Sequence, residues 1–189
     1  MRRLVLIRHG RTEGSDRRLY YGETDLPLTP EGIRELTANR ALYPPLSGCH
    51  VYTTGLLRTE QTLRAIYGDV PHDTLPGFRE IRFGVFEMKS YDELKDRADY
   101  QAWVSGDYYA NVPPGGESFA QAEARAAETL AALLALPEDA LVVAHGGTAV
   151  AVMGRLFPEE GKTQYDWVPR PGAGYAIDLQ AHAYRQFPR

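Results

Sequence analysis

The sequence predicts a three-layer α/β/α sandwich with a mostly parallel central sheet, and three observations carry that prediction. Two short runs, Leu4-Val5-Leu6-Ile7 and Leu141-Val142-Val143-Ala144, are apolar without interruption, as in strands covered on both faces. The stretches between them have helical spacing. Strand and helix alternate along the chain, which puts helices on both sides of one sheet. A length of 189 residues suits one domain over 1–189, since domains most often run to about 100–150 residues and reach about 250.

Each element has its own signal. After the first strand, Thr29 followed by Pro30 reads as an N-cap and first helical residue, with Glu31 favourable at the positive helix end. Ile33, Leu36 and Tyr43 follow on one approximate face, and Pro44-Pro45 stops the helix. Cys49–Thr53 has strand character, and Leu56 to Tyr67 forms an amphipathic helix closed by Gly68, with Arg58 in its first turn. Pro113-Pro114-Gly115-Gly116 is a loop. A long helix from Glu117 to Leu136 follows, burying Phe119, Ala122, Ala126, Leu130 and Leu133, and Pro137 ends it. A helix from about Thr148 to Phe157 comes after the second apolar strand, and Tyr175–Leu179 with Ala183–Phe187 closes the sheet as a hairpin.

Composition excludes several classes. With 43% hydrophobic and 24% charged residues the chain is globular in make-up, not disordered. No apolar run approaches the roughly 18 residues of a membrane span, and Arg8 interrupts the N-terminal run too early for a secretory signal, so the expected location is cytoplasmic. The single cysteine, Cys49, forms no internal disulfide and suits a reducing compartment. A net charge of -4 gives no general attraction for nucleic acid, so an anionic ligand needs a local basic pocket. A homo-oligomer is compatible with all of this.

The chemistry is expected where the two apolar strands end. The first runs into Arg8-His9-Gly10 and the second into His145-Gly146-Gly147. Ligands of open α/β sheets bind at the carboxyl ends of the strands, so if these strands are neighbours both imidazoles face one crevice. Glycine lets the backbone approach a ligand, and Gly146 lies beside a helix N-terminus that attracts anions. Arg8 and Arg58 offer two planar guanidinium forks suited to phosphate oxygens. A neutral imidazole, His9 or His145, is a nucleophile able to accept a phosphoryl group and pass it to water. Glu80, between the apolar Phe78 and Ile81, is placed to protonate a leaving alkoxide. The expected ligand is therefore a small-molecule phosphate ester.

Leu6-Ile7-Arg8-His9-Gly10-Arg11-Thr12 resembles the signature of the histidine phosphatase superfamily, which includes the cofactor-dependent phosphoglycerate mutases. Asp25–Gly32, Leu57–Thr62, Arg79–Gly84, Pro114–Phe119 and Val143–Thr148 resemble further motifs of that family in the same order. The resemblance spans about residues 3 to 180. It implies a phosphoglycerate mutase-like fold, His9 as the phosphorylated nucleophile, Arg8, Arg58 and His145 as phosphate ligands, Glu80 as proton donor and acceptor, and neither metal nor cofactor. The chain departs from the pattern at Arg11, where the family usually has Glu, and at Ser15, where it usually has Asn; Ser15 is left as a phosphate ligand through its hydroxyl. Ile81 replaces the arginine that mutases carry after the glutamate, which favours hydrolysis over isomerisation. The run Phe83–Met88, with Tyr100 and Trp103, resembles the alpha-ribazole phosphatase branch.

Other readings compete. A broad-range or sugar-phosphate phosphatase fits the same residues, a mutase fits them less well, and a phospholigand-binding protein without turnover needs a missing nucleophile or acid. Gly161-Lys162-Thr163 lacks the earlier glycine of a phosphate-binding loop, since that position is Leu156. Cys49 lacks the arginine six residues on that a cysteine phosphatase requires. A zinc ion on His9, His145 and Glu80 would meet the repulsion of the adjacent arginines. Tyr20-Tyr21, Tyr108-Tyr109 and Trp103 are available to stack on an aromatic substrate, although packing is the commoner use. His50, His72 and His182 read as structural or surface residues.

Overall fold

The computed structural model describes residues 1–188. Its elements are β1 (Arg3–Arg8), α1 (Glu13–Asp16), β2 (Leu19–Tyr20), α2 (Pro30–Ala38), β3 (Cys49–Thr53), α3 (Leu57–Tyr67), β4 (Asp73–Thr74), β5 (Lys89–Ser90), α4 (Tyr91–Leu94), α5 (Ala98–Val104), α6 (Phe119–Leu134), β6 (Asp139–Ala144), α7 (Gly146–Leu156), α8 (Gln164–Trp167), β7 (Gly174–Asp178) and β8 (Ala183–Phe187). Six strands form the central sheet in the order β4-β3-β6-β1-β7-β8. The β4–β3, β3–β6 and β6–β1 pairs are parallel, whereas β1–β7 and β7–β8 are antiparallel. The expected three-layer, mostly parallel sandwich is what forms.

The apolar runs are uninterrupted because both faces of the sheet are covered. Leu4, Leu6, Val142 and Ala144 meet Leu130 and Leu133 of α6 and Val152 and Met153 of α7 on one face. Val5, Ile7, Leu141 and Val143 meet Leu36 of α2 and Leu63 and Ile66 of α3 on the other. Burial of each such side chain contributes about 1.5–3 kcal/mol. Adjacent residues of β1 and β6 thus point into different cores, and both strands are fixed in register.

Three helix starts follow from local chemistry. Thr29 caps α2 by accepting from the Gly32 N–H at 3.0 Å, with Pro30 at the first helical position. Ser118 caps α6 in a box with Gln121, so that helix begins at Phe119 rather than at Glu117. Leu56 has no capping side chain for α3; Asp25 takes the role from outside by accepting from the Leu57 N–H at 2.7 Å. That contact fixes the first turn that carries Arg58.

Some expectations are corrected. α2 ends at Ala38, so Tyr43 is buried outside it, while Ile33 is solvent-exposed. α7 begins at Gly146, two residues earlier than expected, which puts both glycines inside its first turn. The segment 82–112 also holds α4, α5 and β5, which pairs antiparallel with β2 near the N-terminus, and none of these has a periodic signal. Its Phe86, Leu94, Tyr100 and Trp103 form a third apolar cluster with Tyr20, Phe83 and Phe119.

Candidate active site

Parallel pairing of β1 with β6 sets Arg8 opposite Ala144, and the His9 N–H continues the ladder by donating to the Ala144 carbonyl at 2.9 Å. His9 and His145 therefore leave the sheet side by side, their rings edge to face with centroids 5.3 Å apart. The crevice expected at the strand ends exists because these two strands are neighbours.

Hydrogen bonds decide the tautomers. The His9 Nδ1–H donates to the Gly10 carbonyl at 2.8 Å, which leaves Nε2 with its lone pair free. Arg58 donates from Nε to His145 Nδ1 at 3.4 Å, so His145 carries its proton on Nε2, which lies 2.9 Å from the Thr54 hydroxyl. Burial pushes the pKa of His9 well below its usual value, and the charges of Arg58 and Arg8 push it further. Burial and the same two arginines do likewise for His145. Both rings are neutral at physiological pH.

Arg58 is fully buried. Its Nη1 and Nη2 donate to the carbonyls of Thr24 and Gly22 at 2.9 and 2.6 Å, and its guanidinium sits 5.1 Å from the Tyr21 ring centroid. Burial lowers its pKa, yet an arginine remains charged. Arg58 and His145 are thus fully buried behind the strand ends, His145 lying edge to face with His9. Arg8 lines the cavity, holding the Pro169 carbonyl with Nη1 at 2.8 Å while its buried Nε–H has no partner among the described residues.

Glu80 is held against the start of α7. The Thr148 hydroxyl donates to the Phe78 carbonyl at 2.7 Å, and the Gly147 N–H donates to Glu80 Oε2 at 3.1 Å. These two bonds dock the segment bearing Glu80 onto the first turn of that helix. A Cβ at Gly147 would fall 2.2 Å from Glu80 Oε1, so only glycine permits this approach. Gly146 lines the same space, close enough to Arg8 that a Cβ there would be 3.5 Å from its Cζ.

Two sequence expectations shift. Ser15 does not present its hydroxyl to a phosphate: it donates to the Thr12 carbonyl at 2.8 Å and accepts from the Thr12 N–H at 2.9 Å, completing the capping box of α1. Arg11 points to the surface, paired with Asp16 and Glu35 at 2.9 Å each. The three histidines read as surface residues pair with Asp73, Glu60 and Glu159. Among the described residues no group of three or more His, Cys, Asp or Glu side chains is arranged to hold a metal ion, and no helix is long and apolar enough to cross a membrane.

Glu87 is a site residue that the sequence left inside a motif without a task. Its carboxylate accepts from the N–H groups of Gly22, Glu23, Thr24 and Phe83 and from the Thr24 hydroxyl, at 2.6–3.3 Å. It ties down the loop whose carbonyls hold Arg58. No periodicity distinguishes such a carboxylate from a solvated one.

The groups at the strand ends border one cavity of about 840 Å³. Arg8, His9, Glu80, Gly146 and Gly147 stand in its wall together with Tyr20, Phe83, Tyr100, Trp103, Tyr108 and Phe119. The cavity is large enough for a drug-sized ligand.

A paired-strand crevice with a neutral, free imidazole nitrogen, an unpartnered guanidinium N–H and a docked carboxylate defines a protein built for phosphate-ester chemistry. The chain belongs to the histidine phosphatase superfamily (branch 1), which it matches over residues 4–182. It is 32% identical over 184 residues to the adenosylcobalamin/alpha-ribazole phosphatase of Salmonella typhimurium, covering 94% of this chain and 90% of that protein. The crystal structure of the alpha-ribazole phosphatase from Shigella flexneri superposes with a TM-score of 0.84 at 29% identity, covering 96% of this chain and 93% of that one. A phosphoglycerate mutase structure from Thermus thermophilus gives a TM-score of 0.71 at 30% identity, with 93% and 92% covered. The chain is a histidine phosphatase-type hydrolase similar to the alpha-ribazole phosphatases.

Proposed function

We propose that the protein hydrolyses the 5'-phosphate of alpha-ribazole or of a closely related nucleoside-like ester, with His9 as nucleophile. The observation that carries this reading is the His9–Gly10 hydrogen bond, which leaves Nε2 unprotonated at the phosphate end of an aromatic-walled cavity. The phosphoryl group is held by Arg8 and the first turn of α7, while Arg58 and His145 keep the charge and the tautomer of the site from behind. His9 Nε2 attacks phosphorus in line, the ester P–O bond breaks, and Glu80 donates a proton to the departing oxygen. Water then attacks the phosphohistidine, Glu80 takes its proton, and inorganic phosphate leaves.

The aromatic wall favours a substrate with a flat ring over a small, highly charged phosphoglycerate. Relatives whose names carry alpha-ribazole add to that choice. A cytoplasmic location accompanies it, where the free, half-buried Cys49 stays reduced. Phosphate release across alpha-ribazole 5'-phosphate, sugar phosphates, nucleotides and phosphoglycerates, with His9→Ala as blank, tests the reading. Preference for the ribazole ester is expected. Uniform activity on all esters would replace it by a broad-range phosphatase, and interconversion of 3- and 2-phosphoglycerate would replace it by a mutase.

A further inference from the structure

Helix α3 turns three polar side chains inward: Arg58, Thr59 and Thr62 are fully buried, as is Thr54 in the loop before the helix. Burying a polar group costs free energy unless its hydrogen bonds are made, so this face needs partners inside the protein. It finds them at the two strand ends that carry His9 and His145.

The hydrogen bonds around His145 have one consistent direction. Arg58 Nε can only donate, so Nδ1 of the neutral ring accepts from it at 3.4 Å and the ring proton sits on Nε2. The Nε2–H then donates to the Thr54 hydroxyl at 2.9 Å. The Thr59 hydroxyl is committed to the Leu56 carbonyl at 2.7 Å, which makes Thr54 the donor in the 3.3 Å contact between the two threonines. A single run of donors thus passes from Arg58 through His145, Thr54 and Thr59 to Leu56, and it starts and ends at the N-terminus of α3. Thr62, one turn further on, serves the other histidine: it donates to the Arg58 carbonyl at 2.7 Å and accepts from the N–H of Gly10 at 2.9 Å. Gly10 is the residue whose carbonyl takes the His9 Nδ1–H. The two imidazoles carry their protons on opposite nitrogens, Nδ1 in His9 and Nε2 in His145.

We infer that Thr54 and Thr59 are positioning residues of the phosphoryl-transfer reaction: their hydroxyls hold His145 as the Nε2–H tautomer, which keeps Nδ1 as the acceptor for Arg58 and fixes the ring that lies edge to face with His9. With the proton on Nδ1 instead, two donors would face each other across the Arg58–His145 contact, and His145 has no exposure to water that could separate them. An unmade buried hydrogen bond costs more than a made one contributes, so the network tolerates only one arrangement of protons. This inference rests on His9 being the nucleophile and not on which ester it cleaves.

The test combines kcat on p-nitrophenyl phosphate with nitrogen-15 NMR of histidine-labelled protein, which reads the tautomer without turnover; the signals of His145 are those missing from His145→Gln. The wild type is expected to show His145 as the Nε2–H tautomer at neutral pH. Thr54→Val keeps the shape and removes the hydroxyl: it is expected to lose the hydrogen-bonded Nε2–H signal and to lower kcat by about tenfold with KM little changed, and Thr54→Ser is expected to restore both. Should Thr54→Val fail to fold, Thr59→Val removes the onward acceptor of Thr54 and should lower kcat in the same way, while the wild-type spectrum still decides the tautomer. An Nδ1–H or a charged His145 in the wild type, an unchanged kcat in the folded valine variant, or a serine variant as slow as the valine one overturns the assignment. A wild type that has the expected tautomer but releases phosphate from no ester overturns the phosphatase reading itself, and this inference with it.

Discussion

Glu80 and Gly147 are in direct contact: the backbone N–H of Gly147 donates to Glu80 Oε2 at 3.1 Å, and a methyl group at Gly147 would lie 2.2 Å from Oε1. The Glu80 carboxyl group is therefore positioned by a helix start at which any side chain would push it aside. Gly147→Ala is expected to displace Glu80 and to lower kcat by about 10²–10⁴, the usual size of a general acid–base contribution. The loss should be larger for alkyl phosphates than for p-nitrophenyl phosphate, whose leaving group needs no proton. Equal losses on both would show that Glu80 is not the acid, and Glu80→Gln should reproduce the same asymmetry.

The neutral state of His9 sets the acid limb of catalysis. Since burial and then Arg58 and Arg8 lower its pKa, the fall in kcat/KM caused by protonating the nucleophile should occur well below the ordinary histidine value of about 6.5. A pH profile that loses activity with a midpoint at an ordinary histidine value would contradict the described environment.

The same shifts predict how stability depends on pH. His9 and His145 have folded-state pKa values below their unfolded ones, so below about pH 6.5 the unfolded chain binds more protons than the folded one and stability falls as pH falls. Each contributes a slope of up to about 1.4 kcal/mol per pH unit in that window. Urea unfolding followed from neutral pH down to about one unit below the unfolded histidine value should show the decline, and His145→Gln should reduce the slope. An unchanged slope in that variant would mean that His145 titrates normally.

Glu87 holds five donors across two loops. Glu87→Ala leaves those N–H groups unpaired and frees the loop that binds Arg58 through Gly22 and Thr24. A destabilisation of about 2 kcal/mol or more is expected, accompanied by lower kcat/KM. A variant as stable as the parent in denaturant titration would show that the clamp is dispensable.

How much of this is legible in sequence depends on periodicity. The runs at Leu4–Ile7 and Leu141–Ala144 announce β1 and β6 because two buried faces leave no polar position, whereas that the two strands are neighbours, which brings their histidines together, is read from the structure. Thr29-Pro30 announces α2 through its cap chemistry. The residues of the aromatic wall can be singled out by type, as Tyr20, Tyr108 and Trp103 are, but the elements that assemble them are not legible, because β2, β5 and α4 are two to four residues long and show no repeat. Ser15 misleads since a hydroxyl that caps a helix and one that binds phosphate look alike in sequence; its partner, Thr12, decides. The depth of Arg58 is hidden for a related reason. Its partners are backbone carbonyls of residues 22 and 24, which carry no sequence signal.

The central claim is that the Nε2 atom of His9 takes the phosphoryl group, because Nδ1 is committed to the Gly10 carbonyl. Rapid alkaline quenching during turnover, followed by mass spectrometry and phosphorus NMR, measures this directly. The expected result is a single phosphohistidine at position 9, substituted on Nε2 and absent from His9→Ala. Phosphate on Nδ1, on His145, or on no residue during active turnover would contradict it.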